Sequence, residues 1–223
     1  MSRLNYQQQG DKNLKSLNPD PQTEIYRGWD KDKDNIMMLE EGYDLIGFSS
    51  FAGTYVPPAE ALDFGKQIKA DTLLVYDRQI NEATRATAIK RARENIKKKK
   101  LDDDGKIEEI IIDPNDLADS DAMFDFYVSY WAKLPKPLFG THLISFKEDD
   151  ERYEDGGLFV VAVIKDSAAA NSGIVRKDRI MTINGISLKE PNEFIKELIK
   201  NKGNVVEIAY MRDGNLNNIK VQI

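Results

Sequence analysis

The residues of this chain that could do catalytic chemistry are few and form no recognisable set. His142 is the only histidine, and the 223 residues include no cysteine. A serine hydrolase would have to use His142 beside a serine nucleophile, but no Gly-x-Ser-x-Gly turn presents one. Glycine-rich phosphate loops are absent, and among 38 acidic residues a chance carboxylate pair identifies no glycosidase. We therefore expect no catalytic residues, no cofactor and a protein that is not an enzyme.

One acidic stretch has the spacing of a metal site. Asp30, Asp32 and Asp34 alternate, and Glu41 stands at the twelfth place counted from Asp30, as in the calcium-binding loop of an EF-hand. The sixth place holds Asn35 where an EF-hand needs glycine, and the helix that should precede the loop would have to pass through two prolines. We expect no metal here, and interpret the acidic residues as caps of a short helix over 36–41.

The composition indicates two small domains with a large solvated surface. Hydrophobic residues make up 41% and charged residues 31% of the chain, and domains commonly run to about 100–150 residues. A net charge of -6 argues against a nucleic-acid partner. No apolar run is long enough to span a membrane. The polar start resembles the tether behind a lipoprotein anchor, so membrane contact through a missing lipid anchor and a native cytoplasmic start both stay open.

The first part of the chain predicts an α/β domain behind a polar segment. Residues 1–22 are polar and broken by prolines, and we interpret them as a flexible tether. Residues 23–134 are assigned to the domain: a strand over 44–51, a helix with one apolar face ending near Ala70, and a strand over 72–76. Strand, helix and strand in this order predict a βαβ crossover with parallel strands.

The rest of this domain is predicted as a charged insertion followed by an aromatic helix. Residues 81–100 are alanine-rich and basic, which is typical of a solvated helix, and 107–112 could add a strand. Residues 115–134 carry Phe124, Tyr127, Val128 and Trp131 at helical spacing, so we expect a core helix there. The prolines at 135 and 137 mark the domain boundary.

The last part of the chain, residues 136–223, has strand and turn signals throughout. Two strands over 141–146 and 158–164 flank an acidic loop and could pair antiparallel. A one-turn helix over 167–173, a strand with an Asn-Gly turn over 180–186, and an amphipathic helix over 190–202 follow. In that helix we expect four apolar residues to face inward, namely Phe194, Ile195, Leu198 and Ile199. A hairpin over 205–223 ends the chain.

These elements carry a specific resemblance. "LFVVAVIKDSAAANSGIVRKDRIMTINGISL", then a helix, then "VVEIAYMRDG" is similar to the PDZ domain of bacterial HtrA-type and related envelope proteins, although Ala168 replaces the usual proline and Lys177 the usual glycine. The resemblance implies a partly open β-barrel capped by two helices, which makes the whole chain α+β. It also implies capture of an extended peptide or a free C-terminus, added as a strand beside the domain's own edge strand.

The resemblance also names candidate binding residues. The carboxylate loop corresponds to Leu138, Phe139, Gly140 and Thr141, with threonine where an apolar residue is usual. His142, Leu143 and Ile144 would offer the strand edge. Phe194 and Leu198 are candidates for the apolar pocket, although both could instead fill the core.

The first domain has a second resemblance. "EEGYDLIGFSSFAG", a helix, then "IKADTLLVYDRQ" is similar to RcsF-like envelope lipoproteins, which implies a bacterial cell envelope or periplasm. We therefore expect a non-catalytic scaffolding protein that binds a partner's C-terminus or extended strand, as part of a larger complex. The alternative is a regulatory or substrate-delivery subunit of a separate protease.

Overall fold

The computed structural model describes residues 5–9, 16–53, 57–79, 123–153 and 156–223. The first sheet comprises β1 (Tyr6–Gln8), β2 (Glu24–Arg27), β3 (Tyr43–Gly53), β4 (Thr72–Gln79) and β5 (Phe124–Lys133). Its helices are α1 (Lys31–Glu40) and α2 (Pro58–Gln67). The second sheet comprises β6 (Thr141–Ile144), β7 (Leu158–Val163), β8 (Arg179–Ile183), β9 (Ile186–Ser187), β10 (Val205–Arg212) and β11 (Asn215–Gln222). Its helices are α3 (Ala168–Asn171) and α4 (Pro191–Lys200), and a 3₁₀ turn spans Glu151–Tyr153.

The first sheet is covered by a helix on each face. Its strand order is β1-β3-β5-β4-β2, with β5 antiparallel to both neighbours and β2 parallel to β4. On one face Phe64 of α2 packs with Val128 and Tyr130 of β5. On the other face Met38 of α1 packs with Trp131 of β5. The central strand β5 therefore connects the two layers of core.

The predicted helix over 115–134 is wrong for the described residues 123–134, because Phe124–Lys133 form the strand β5. Both faces of β5 are buried, so apolar side chains follow one another without alternation. In such a strand Tyr127 and Trp131 lie on one face and Val128 on the other, although their spacing also fits a helix. Aromatic and β-branched residues favour a strand here.

Two further expectations for this domain need correction. Residues 1–22 were predicted to be a flexible tether, but Tyr6–Gln8 within them form the edge strand β1, which pairs with β3. The Tyr6 ring packs edge-on against Phe64 and Tyr130, with ring centroids 5.1 and 5.7 Å apart. The strands β3 and β4 run parallel as expected, because both oppose β5, but β5 lies between them and they do not pair. The helix predicted over 81–100 and the strand predicted over 107–112 lie outside the described residues.

The second sheet confirms most of the local predictions. Its path is β11-β10-β8-β7-β6, with β9 paired to β8 across the Asn184-Gly185 turn. The strands β6 and β7 pair antiparallel as expected. Because β6 and β11 are its two edges, this sheet does not close.

The described fold is α+β, and the predicted domain boundary falls between β5 and β6. Among the described helices, none is both long enough and apolar enough to cross a membrane.

A buried ion pair holds the second sheet to the turn after α3. Asp178 is 1% exposed, and its carboxylate accepts from Arg212 Nε and Nη2 at 2.7 and 2.6 Å and from the Val175 N–H at 2.9 Å. Arg212 Nη2 also donates to the Gly173 carbonyl at 2.7 Å. Hydrogen bonds and charge together keep the buried carboxylate satisfied.

Replacing Asp178 with asparagine should lower the free energy of unfolding by about 2–4 kcal/mol. The substitution keeps the shape of the side chain but leaves the Arg212 guanidinium, which is 35% exposed, without its counter-charge. Urea unfolding of the full chain measures the effect. Asp213→Asn at the neighbouring exposed turn is the control and should change stability by less than about 0.5 kcal/mol. Equal effects of the two variants would contradict this role of the ion pair.

Lys177→Gly should raise the free energy of unfolding by about 0.5–1 kcal/mol. Lys177 has φ +78°, in the left-handed region where a side chain is strained. Glycine removes that strain, and only part of the gain is lost to the greater freedom of glycine in the unfolded chain. The control is Lys147→Gly in an exposed loop outside the left-handed region, which should not stabilise. Thermal unfolding that shows no gain at position 177 would contradict the strain argument.

Candidate peptide-binding site

The predicted carboxylate loop is held in one conformation by a close contact at Gly140. Its φ is +97°, which favours glycine, and a Cβ at this position would lie 2.5 Å from the Ser167 Oγ. Ser167 is the N-cap of α3, and its Oγ accepts a hydrogen bond from the Ala170 N–H at 3.2 Å. The loop therefore rests on the first turn of a short capped helix, and a larger residue at 140 would have to displace it.

Two carbonyl groups of this loop accept hydrogen bonds within the protein, whereas two of its N–H groups have no acceptor among the described residues. The Phe139 carbonyl accepts from the Ala169 N–H at 2.8 Å, and the Gly140 carbonyl accepts from the Ile164 N–H at 2.8 Å. Within the described parts of the chain, no acceptor is bonded to the N–H groups of Phe139 and Gly140. Both residues are buried, where an unpaired donor is unfavourable. Two adjacent unpaired donors of this kind can bind a carboxylate.

The strand β6, which follows the loop, is an edge of its sheet. It pairs with β7 along one side only, with an irregularity between His142 and Leu143. Leu143 packs against the core of the second sheet, whereas Ile144 is 43% exposed. An extended peptide could therefore pair with the outer edge of β6 and direct alternate side chains toward the core.

The helix α4 places Phe194 and Leu198 in the core of the second sheet. The Phe194 ring meets Phe139 edge-on, with centroids 5.4 Å apart, and both side chains are 1% exposed. The expectation that Ile195 and Ile199 also face inward is wrong, since they are 44% and 60% exposed. The inward stripe is narrower because residues one position away lie about 100° around the helix axis.

The start of α4 is fixed by a capping box. The Glu193 carboxylate accepts from the N–H groups of Lys189 and Glu190 at 2.8 and 3.2 Å. These two hydrogen bonds lower the pKa of Glu193. Ser145, directly after β6, donates from its Oγ to the Glu190 carboxylate at 3.1 Å. This bond joins β6 to α4 at the end away from Gly140, beside a cleft of about 820 Å³ that Phe146 and Leu188 help to line.

The structure brings part of the predicted set together. Phe139, Phe194 and Leu198 share one core cluster, and Leu138 and Leu143 pack against it. Thr141 lies at the start of β6, whereas the His142 ring contacts the first domain instead, with Nε2 3.2 Å from the Leu39 carbonyl oxygen. Sequence reasoning missed Ser145, Ser167 and Glu190. The spacing of Glu190 and Glu193 ahead of an apolar run was the available signal for the last of these.

The stretch with calcium-loop spacing folds differently from a metal loop. Residues Lys31–Glu40 form the helix α1, and Asp30 caps it by accepting from the Lys33 N–H at 3.2 Å. Asp34 accepts from the Trp29 N–H at 2.8 Å and from the Tyr76 hydroxyl at 3.0 Å. Burial and this carboxylate raise the pKa of Tyr76. The predicted capping role of the acidic residues is confirmed at Asp30.

Comparison with known proteins identifies the second domain. Residues 141–223 match the family model of the PDZ domain, and this part of the chain is a PDZ domain. No curated protein matches the chain. A variant of the HtrA-type protease AlgW, solved with a decapeptide, is 21% identical over 38% of this chain and 27% of that chain, with a TM-score of 0.34. The PDZ domain of HtrA3, solved with a phage-derived ligand, is 20% identical over 38% of this chain and 80% of that chain, with a TM-score of 0.33.

Gly140→Ala should destabilise the PDZ domain by more than Gly173→Ala. Both glycines have positive φ, so alanine costs about 1 kcal/mol of backbone strain at either position. Only at 140 does the new methyl group also meet a residue other than its chain neighbours, because beyond those neighbours no atom lies within 4 Å of a Cβ at 173. We expect an additional loss of about 1–3 kcal/mol for Gly140→Ala in urea unfolding. Equal losses would contradict the close contact with Ser167.

Proposed function

We propose that the PDZ domain, together with the loop before it, binds the free C-terminus of a partner protein by adding it as a strand to β6. The observation that carries this proposal is the pair of N–H groups of the buried residues Phe139 and Gly140, which donate to no described residue. A terminal carboxylate supplies two acceptor oxygens at the end of an extended chain, which is the ligand these donors fit.

The arrangement favours a carboxylate over a neutral chain end. Hydrogen bonds to a charged acceptor are each worth about 1.5–3 kcal/mol, roughly twice the value of neutral ones. The two donors are already held in place, because the carbonyl groups of the same residues bind Ala169 and Ile164. Preorganised donors lose little conformational entropy when the ligand binds.

The peptide lies, in this proposal, between β6 and α4. Its backbone pairs with the outer edge of β6, and its last apolar side chain points toward Leu143 and Leu198 at the edge of the core. The hydrogen bond between Ser145 and Glu190 crosses the far end of this path. A peptide that extends beyond it must pass over this bond or open it.

For the whole protein, the proposed role is that of a non-catalytic scaffold in a bacterial cell-envelope assembly. The resemblance of residues 40–79 to RcsF-like envelope lipoproteins supports this setting. The binding activity proposed for the PDZ domain does not depend on it.

Selection from a library of random heptapeptides with free C-termini tests the binding proposal. The full chain should enrich peptides with an apolar last residue. Amidation of the terminal carboxyl should weaken each selected peptide by roughly tenfold or more, because the Phe139 and Gly140 donors lose a charged acceptor. Fluorescence anisotropy with paired acid and amide peptides measures this ratio. Peptides that bind equally well as amides, or a library that yields no binder, would refute the proposal.

A further inference from the structure

The C-terminal end of α1 has no basic residue in its last turn. Carbonyl groups without intrahelical partners give a helix C-terminus a partial negative charge, which lysine or arginine in the last turn would offset. The last turn of α1 has no basic residue and instead carries Glu40, with Glu41 as the cap. The Gly42 N–H donates to the Leu39 carbonyl at 3.0 Å, and donors and positive charge from elsewhere in the molecule can stabilise this helix end further.

The PDZ domain supplies much of what this helix end lacks. The Lys165 N–H donates to the Glu40 carbonyl at 2.8 Å, and the Lys165 ammonium forms an ion pair with the Glu41 carboxylate. The His142 Nε2 lies 3.2 Å from the Leu39 carbonyl oxygen, which can only accept. From the first domain, the Lys133 ammonium donates to the Glu41 carbonyl. The hydrogen bond to Lys165 is the main reason that the pKa of Glu41 is lowered.

The residues that cap α1 are connected directly to the proposed peptide site. His142 is part of β6, the strand that would pair with the peptide. Lys165 follows Ile164, whose N–H holds the Gly140 carbonyl of the carboxylate loop. Gly42, just beyond α1, lies against Ile164, since a Cβ there would be 3.5 Å from its Cγ2. The end of α1 thus touches both β6 and the residue that fixes the loop.

We propose that the docked end of α1 regulates the peptide groove by holding β6 and the carboxylate loop in the binding conformation. This inference rests on the proposed peptide-binding function. Docking of the first domain increases peptide affinity, and a bound peptide strengthens docking by the same factor, as thermodynamic linkage requires. Peptide binding in the groove of the PDZ domain therefore changes how tightly the first domain docks.

The size of the coupling follows from the character of the contact. The side chains of Lys165 and Glu41 are 59% and 45% exposed, so their ion pair alone contributes little. It acts together with the two hydrogen bonds to the Leu39 and Glu40 carbonyls. Loss of docking should weaken peptide binding by roughly threefold to tenfold.

Glu41→Lys is the informative variant, because coupling and direct electrostatics predict opposite results. A lysine at 41 repels Lys165 and opposes docking, so the coupling proposal predicts weaker peptide binding. The same lysine adds positive charge near the carboxylate loop, which alone would strengthen binding of an anionic C-terminus. Its charge also complements the partial negative charge at the end of α1, and it repels the Lys133 ammonium as well as that of Lys165.

The full cycle uses four variants of the intact chain and a fluorescein-labelled heptapeptide that ends in a free valine carboxylate. Glu41→Lys and Lys165→Glu should each weaken binding, and the double variant, which restores an ion pair of reversed polarity, should return to within about twofold of wild type. Asp63→Lys, an equal charge change at an exposed position of α2, is the matched control and should leave affinity unchanged.

Hydrogen exchange of the Lys165 amide provides a second readout, because this amide donates across the domain contact. Peptide should slow its exchange in wild type, and Glu41→Lys should accelerate it. Wild-type binding with equal affinity in all variants, or tighter binding by Glu41→Lys, would overturn the coupling and leave peptide binding intact. A wild-type chain that binds neither this peptide nor any library peptide would instead refute the proposed function.

Discussion

The hydrogen bond from the Ile164 N–H to the Gly140 carbonyl is the interaction on which the proposed peptide site and its link to the first domain depend. It fixes the loop before β6. Together with the hydrogen bond from the Ala169 N–H to the Phe139 carbonyl, it means that both loop carbonyl groups accept from the protein's own N–H groups. The N–H groups of the same residues donate to no described residue, and in the proposed site they bind the ligand. The bond also ties the loop to the residue that precedes Lys165, and through it to the end of α1. This one hydrogen bond thus joins the loop of the proposed carboxylate site to the contact with the first domain.

In the first domain, the spacing of the apolar residues alone could not predict that the central element β5 is a strand. In β5 both faces are buried, and apolar side chains therefore occupy consecutive positions. Such a run fits a helical period as well as a strand. The enrichment of β5 in aromatic and β-branched residues was the better indicator. Tyr6 poses a related problem, because a single aromatic ring inserted beside Phe64 and Tyr130 orders a segment whose composition is otherwise polar.

The PDZ domain was predictable because its signals are local. The Asn184-Gly185 turn, the capped α3 and the hairpin of β10 and β11 are each encoded within a few residues. The features that the sequence could not predict depend on contacts between residues far apart in the chain. The exposure of Ile195 and Ile199 is decided by how α4 sits on the sheet, and the contact between α1 and Lys165 joins residues more than a hundred positions apart. That the N–H groups of Phe139 and Gly140 donate to no described residue is a property of the folded loop alone.

Binding of a carboxylate by the N–H groups of Phe139 and Gly140 is tested most directly by amide NMR of the full chain. Addition of a heptapeptide with a free apolar C-terminus should shift the ¹⁵N–¹H resonances of Phe139 and Gly140 downfield, because a charged acceptor deshields the donated proton. The amidated peptide at the same concentration should leave both resonances nearly unchanged. Shifts of equal size with both peptides, or shifts confined to residues outside the loop and β6, would contradict the account.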